Sequence, residues 1–549
     1  MDGKTHAFIV SFIWGIADEC LRDRYTRGKY RDVILPMTVI RRLDAQLERS
    51  KEAVLALKKK LDAAGIRESW PALYKAAGQA FCNVSPFRLR DLTSRARVQS
   101  LKADFTAYLD GFSPNVQEIL NKFDFHQQIG KMADGGILGA VIEKFVSPDI
   151  DLSPERLDNH AMGTVFEELL RRFNEENNEE AGEHWTPRDV VELMADLAFR
   201  PVADRIKDGT YLCYDGACGT GGMLTVAQSR LQTLADETGK ALAIHLFGQE
   251  INAETYAIAK ADLLLKGDGA QAENIRFGST LSHDGNRGRT FDFMLSNPPY
   301  GKNWKADRED VGDDDPRFVR ALPDGTVVSM LPRVSDGQLL FLLNNVAKMK
   351  PAKDGALGSR IIEVHNGSSL FTGDAGGGES NARRYLIEND LVEAIIAVPE
   401  NMFYNTGIGT YIWVLSNNKP ANRRGKIQLI DATALKKSLR KNLGQKNCEF
   451  SPELREQIVQ IFLSMEEGPL CRVLPNSAFG YWSVTVERPL RLRLLDDPKI
   501  PEGRLKPAEA EAVRAALARL KGETSTPSTP PPYGLGGVRQ GPRPQAHAA

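Results

Sequence analysis

The sequence predicts an α/β protein: a doubly wound, mostly parallel sheet behind an N-terminal helical domain. Three observations carry this. Short β-rich runs alternate with helical stretches between about residues 184 and 420, the texture of buried strands joined by helices. The first 160 residues instead repeat apolar positions at three and four spacings, as in V-I-L-P-M-T-V-I-R-R-L-D-A-Q-L-E (33–48), which is the helical period. Between a strand-like run and a helix-like one stands the glycine-rich stretch D-G-A-C-G-T-G-G-M-L, Asp215 to Leu224.

Taken in order, residues 1–160 form the helical domain. Its basic run of Arg22, Arg24, Arg27, Lys29 and Arg31 is either a solvated helix face or a surface for phosphate or a subunit. Strands are expected over Y-L-C-Y-D (211–215), I-H-L-F-G-Q-E (244–250), F-D-F-M-L-S-N (291–297) and R-I-I-E-V-H-N (360–366). Helices are expected near 221–235, 252–265, 336–349 and 379–389. V-E-A-I-I-A-V-P (392–399) and T-Y-I-W-V-L-S-N (410–417) follow with no helix between them, so they should pair antiparallel. Residues 421–522 read as a mixed, partly helical extension that includes G-Y-W-S-V-T-V (480–486). The Pro-, Gly-, Ser- and Thr-rich end, 523–549, reads as a disordered tail.

Composition bounds the function. With 42% hydrophobic and 26% charged residues, the 549-residue chain can bury large cores; its length fits about three to four units. A formal net charge of −1 gives no global basicity to signal nucleic acid. Six cysteines without a C-x-x-C pair point to neither a zinc site nor a disulfide scaffold, and so to a reduced, cytoplasmic chain. His184 and His245 lack a metal-spaced partner, and no metal is expected. No run approaches the roughly 18 apolar residues of a membrane span, so no membrane partner is expected.

The glycine stretch permits positive φ and close backbone approach to a ligand, and the helix it opens offers free N–H groups. Glu250 ends the next strand, where a carboxylate can accept both hydroxyls of a ribose. Together they read as a nucleoside site at the carboxyl edge of the sheet. The spacing of Gly219, Gly221 and Gly222 misses G-x-G-x-x-G, and no G-K-[ST] follows, which disfavours dinucleotides and ATP. The second glycine-rich loop, T-G-D-A-G-G-G-E-S (372–380), lacks a phosphate signature and reads as a flexible connection.

L-S-N-P-P-Y-G (295–301) ends a core strand with an amide, two prolines and an aromatic ring. The Asn297 side chain offers a carbonyl acceptor. The backbone carbonyl of Asn297 or Pro298 offers another, held because proline fixes φ. Tyr300 offers a flat ring for stacking. Two acceptors beside an aromatic platform suit a planar –NH₂ group. Accepting both of its hydrogens favours the pyramidal, nucleophilic nitrogen, which can attack an electrophilic methyl with no charged base.

These residues resemble the amino-group DNA methyltransferases that use S-adenosyl-L-methionine. More narrowly, they resemble the modification (methylase, M) subunit of Type I restriction–modification systems. The likeness rests on N-P-P-Y preceded by D-x-x-x-S (Asp292, Ser296), the glycine turn, and E-H-W-T-P-R (Glu183 to Arg188). It extends to D-G-Q-L-L-F-L-L (336–343), G-S-S-L-F-T-G-D (367–374), V-P-E-N-M-F-Y-N-T (398–406) and I-W-G-I-A-D-E (13–19). It covers roughly residues 10–490 in order.

The resemblance implies a Rossmann-like methyltransferase sheet over 161–420 and an N-terminal helical domain contacting partner subunits or DNA. It implies transfer of methyl to N6 of an adenine flipped from double-stranded DNA. Asp215, Gly219, Thr220, Gly221 and Gly222 would line the methionine and ribose of the cofactor, and Glu250 would hold the ribose hydroxyls. Glu183, His184, Trp185, Thr186, Pro187 and Arg188 would close over the methionine end. Asn297, Pro298, Pro299 and Tyr300 would form the catalytic corner. A specificity (S) subunit would read the DNA beside a second copy of the methylase subunit, with a restriction (R) subunit as an optional member. Two departures stand out: Ser279 where many such enzymes carry an acid, and Gly216 where proline is common. The same residues also fit methylation of a protein glutamine amide at N5, or a catalytically silent assembly subunit.

Overall fold

Apolar spacing builds the N-terminal layer of this computed structural model. The run at 33–48 forms the helix Arg31–Leu47, which buries Val33, Ile34, Met37, Ile40 and Leu43. Beneath it, the buried Arg42 donates to the carbonyls of Leu152 and Leu157 at 2.6 and 2.7 Å and to Asn159 Oδ1 at 2.8 Å. A buried guanidinium needs such acceptors, and these tie the helical layer to the helix Asn159–Glu176. Described residues are 3–481 without 67–68, 96–99, 177–185, 353–356 and 405, together with 547–548. The chain divides into two units, the first running through Gly480, and all that follows concerns that unit. Most of the run at 480–486, the expected extension beyond it (487–522) and nearly all of the expected tail at 523–549 lie outside the described residues.

The sheet contains β1 (Gly209–Asp215), β2 (Leu242–Glu250), β3 (Ile275–Phe277), β4 (Phe293–Ser296), β5 (Arg360–Asn366), β6 (Val392–Val398), β7 (Thr410–Ser416), β8 (Lys426–Asp431) and β9 (Cys471–Pro475). Their spatial order is β9-β8-β6-β7-β5-β4-β1-β2-β3. β3, β2, β1, β4 and β5 run parallel. β7 lies antiparallel between β5 and β6, as the missing helix between the last two predicted strands requires. β8 then pairs parallel with β6 and β9 antiparallel with β8. The span 161–420 expected for the methyltransferase sheet stops short of these two strands. They cover an edge that β6 would otherwise leave open, and the sheet runs through Pro475.

The predicted helices are present as Gly222–Thr238, Ala253–Leu265, Gln338–Ala347 and Gly378–Glu388. The loop at 372–380 is a packing point instead of a free connection. Gly378 lies so close to the Leu331 carbonyl that a Cβ would collide with its oxygen. Only a glycine permits that approach.

The chain moves outward from β1 through β2 to β3, then returns to β4 on the other side of β1. Such a reversal opens a crevice at the carboxyl ends of the strands, where ligands bind in open α/β sheets. The N-terminal layer docks beside it. Glu118 accepts from Tyr256 Oη at 2.6 Å and from Lys260 Nζ at 2.8 Å, and Arg31 donates to Glu254 at 3.1 Å. Those contacts brace the helix that follows Glu250. Arg31 is thus taken from the basic run, while Arg22, Arg24, Arg27 and Lys29 are exposed. Among the described residues no helix is long and apolar enough to cross a membrane.

Candidate active site

β1 delivers Asp215 to the crevice. Its Oδ1 accepts from the Ala217 N–H at 3.0 Å and from Ser296 Oγ at 2.7 Å. Burial pushes this carboxyl up to about 7, against the pull of those two hydrogen bonds. After β1 the chain turns on Gly219 and Gly221, at φ +53° and +80°, values that favour glycine. Glu250 braces the same turn. Its Oε2 accepts from the Gly219 N–H at 2.9 Å and its Oε1 from the Asn252 N–H at 2.7 Å. Each oxygen keeps a further lone pair for a ligand.

β4 is buried throughout, and the two prolines stop it. Asn297 follows at once. Its Nδ2 donates to Thr186 Oγ1 at 2.9 Å, and its Oδ1 is buried without a hydrogen-bond partner among the described residues. An unpaired buried carbonyl is costly and rare in folded proteins. Pro298 is buried, Pro299 exposed and Tyr300 half-buried. Desolvation pushes the Tyr300 phenol up to about 12, so it stays a neutral ring. The segment beyond is held in place: the Gly301 N–H donates to Asp336 Oδ1 at 3.1 Å and the Trp304 indole N–H to the Arg333 carbonyl at 3.1 Å.

One cavity of about 1030 Å³ joins these parts, lined by Asp215, Gly219, Thr220, Gly222, Glu250, Thr186, Arg188, Asn297, Pro298, Pro299 and Tyr300. Two expected residues stand behind the wall. Pro187 caps the helix Arg188–Phe199, and Gly221 backs onto Ala259. Arg188 reaches the mouth with its side chain paired to Glu192 at 3.2 Å and Glu167 at 3.5 Å. Glu183, His184 and Trp185 lie outside the described residues. Ser279 lines the cavity, with its Oγ accepting from the Leu281 N–H at 3.2 Å. Among the described residues there is no cluster of three or more metal-ligating side chains.

Some wall residues carry no signature in the motifs. Ile251 is apolar yet 64% exposed, an open apolar face beside Glu250. Tyr404, Thr406 and Ile408 enter from the loop between β6 and β7; V-P-E-N-M-F-Y-N-T marks that loop without fixing a role for it. Ser296 is legible only as the last residue of D-x-x-x-S, and its bond to Asp215 emerges from the pairing of β1 with β4.

The site therefore has acids and a glycine turn on one side, and an unpaired acceptor beside a ring on the other. The N-6 DNA Methylase family model matches residues 157–486. The chain belongs to this family. An HsdM N-terminal domain model matches residues 9–145 of this methylase-family chain, and the resemblance read from the motifs is borne out. The chain is 28% identical over 329 residues to the Type I restriction enzyme MjaIX methylase subunit of Methanocaldococcus jannaschii, covering 60% of this chain and 53% of that protein. It is 30% identical over 315 residues to the Type I restriction enzyme MpnII methylase subunit of Mycoplasma pneumoniae, covering 56% and 52%. The chain thus spans about half the length of the curated relatives it matches. Its fold is that of a type I restriction–modification system methyltransferase subunit from Streptococcus thermophilus, at TM-score 0.65 and 22% identity over 86% of this chain and 96% of that one. A modification subunit from Vibrio vulnificus YJ016 gives TM-score 0.55 at 17% identity over 89% and 99%.

Proposed function

We propose that the chain transfers the methyl group of S-adenosyl-L-methionine to N6 of an adenine turned out of duplex DNA, as the methylase subunit of a Type I restriction–modification complex. The observation that carries this reading is the buried Asn297 Oδ1, without a partner among the described residues, in a corner that shares one cavity with Glu250 and the glycine turn. Family membership favours DNA over a protein amide as the acceptor.

The residues present fit the cofactor. Two acids and a turn with two positive-φ glycines suit a cationic nucleoside. Glu250 would accept from its ribose hydroxyls, the turn would bring backbone close to it, and Asp215 in its ionised form would balance positive charge. When bound, S-adenosyl-L-methionine supplies an electrophilic methyl on a sulfonium.

N6 is out of reach inside the stack, so the base must leave it. Tyr300 then offers a ring against the extruded base. Asn297 Oδ1 and a backbone carbonyl of Asn297 or Pro298 accept the two N6 hydrogens, drawing the nitrogen lone pair out of conjugation. The same acceptors stabilise the positive charge that builds on N6, as preorganised dipoles do. No charged base is needed before attack, and the surplus proton passes to solvent.

Sequence reading is assigned to a separate specificity subunit, because a chain of net charge −1 shows no base-reading motif. A second methylase copy and a restriction subunit complete the proposed assembly. The test is to co-express the chain with its neighbouring open reading frames and map modified bases by long-read sequencing. N6-methyladenine at one recurring sequence is expected. Unmodified adenine, with methylated glutamine found by mass spectrometry, would refute the reading.

A further inference from the structure

We infer that Thr186 is a positioning residue that holds the Asn297 amide with its carbonyl turned toward the substrate amine. The inference rests on the adenine-N6 reading above and adds what makes the amide serve it. A primary amide carries an acceptor at one end and two donors at the other. With its carbonyl presented, Asn297 meets an exocyclic amine as acceptor to donor. Turned by 180° about its last bond, it would present –NH₂ to –NH₂ and repel the same amine. The backbone of the Asn-Pro-Pro corner places the side chain but does not choose between these states.

Thr186 makes that choice once its own hydroxyl proton is engaged elsewhere. The Asn297 amide N–H donates to Thr186 Oγ1 at 2.9 Å, which leaves Oδ1 buried and without a partner among the described residues. Both residues line the cavity. Thr186 is itself fixed. It precedes Pro187, which caps the helix Arg188–Phe199. Asp189 in the first turn of that helix accepts from Lys446 Nζ at 3.2 Å and from the Phe450 N–H at 2.8 Å. Lys446 is almost wholly buried there, so the clamp is tight.

A hydroxyl can both accept and donate. While Thr186 Oγ1 accepts from Asn297, its own proton is left to donate elsewhere. A carboxylate in the cavity, such as that on the amino-acid end of S-adenosyl-L-methionine, would accept a hydrogen bond from that hydroxyl and commit its oxygen to accepting from Asn297. The amide is then held carbonyl-outward most firmly when the methyl donor's site is filled, which makes acceptance of adenine depend on cofactor occupancy.

The test uses the co-purified complex with wild-type chain, Thr186→Val and Thr186→Ser. Three quantities are read: S-adenosylhomocysteine affinity by calorimetry, single-turnover methyl transfer, and relative affinity for duplexes with adenine or 6-unsubstituted purine at the target. The last is measured with and without S-adenosylhomocysteine. In wild type, preference for adenine should rise at least threefold when S-adenosylhomocysteine is present. Thr186→Val should abolish that rise and slow transfer at least thirtyfold, with S-adenosylhomocysteine affinity changed less than tenfold. Thr186→Ser should restore both. Wild-type transfer and preference in Thr186→Val would overturn the inference. So would failure of Thr186→Ser to restore them. A wild-type complex that methylates no adenine would instead overturn the reading beneath it.

Discussion

At the scale of single residues, Asn297, Glu250 and Asp215 are legible in the sequence because backbone chemistry announces them. Two prolines stop a buried strand, a glycine turn follows another, and an acid ends a third. Their partners are not legible. Thr186 reaches Asn297 across 111 positions and Ser296 reaches Asp215 across 81, and no local spacing encodes either bond. Asp215 also carries a pH signature. Its buried carboxyl titrates at about 7 in the fold against an ordinary value near 4. The stability gained by keeping the neutral acid is full below about pH 4 and is lost as pH rises through about 7. Asp215→Asn keeps an oxygen for Ala217 and Ser296 but cannot ionise. It should unfold at higher temperature than wild type at pH 8, by at most about 4 kcal/mol for a shift of this size. The gap should narrow steadily as pH falls from 7 to 4. Calorimetric melts across that range check this, and a gap independent of pH would contradict it.

At the scale of elements, the central strands are legible because each is a short apolar run followed by a helical period. β3 has three residues with only Ile275 buried, too few to show a pattern. β8 and β9 lie beyond the hairpin of β6 and β7, and their membership in the sheet is a matter of edge pairing that no local period reports. The glycines of 372–380 read as freedom, but Gly378 is there for contact. Gly378→Ala should cost about 3 kcal/mol, as overpacking against backbone does, and lower the melting temperature by several degrees. Gly15→Ala is the control: a Cβ there meets nothing within 4 Å, and helix propensity favours the change. Equal melting temperatures for the two variants would show that the contact with Leu331 is not tight.

At the scale of the whole molecule, the N-terminal helices grip the helix Ala253–Leu265 through Glu118 and Arg31, directly behind Glu250. The helix Arg188–Phe199 and the segment around Lys446 fix the other wall through Asp189. The cavity is thus braced by the helical domain on one wall and by the segment around Lys446 on the other. Composition foretold none of this long-range bracing, because it is made of single ion pairs and hydrogen bonds between distant segments. The proposed reaction depends on Asn297 as the acceptor that readies the substrate amine. Its most direct test is Asn297→Ala in the co-purified complex, with cofactor affinity and methyl transfer measured on the same preparation. The expected result is a dissociation constant within about threefold of wild type and transfer reduced at least 100-fold, the scale on which loss of a preorganised acceptor is felt. Transfer within about threefold of wild type would contradict it.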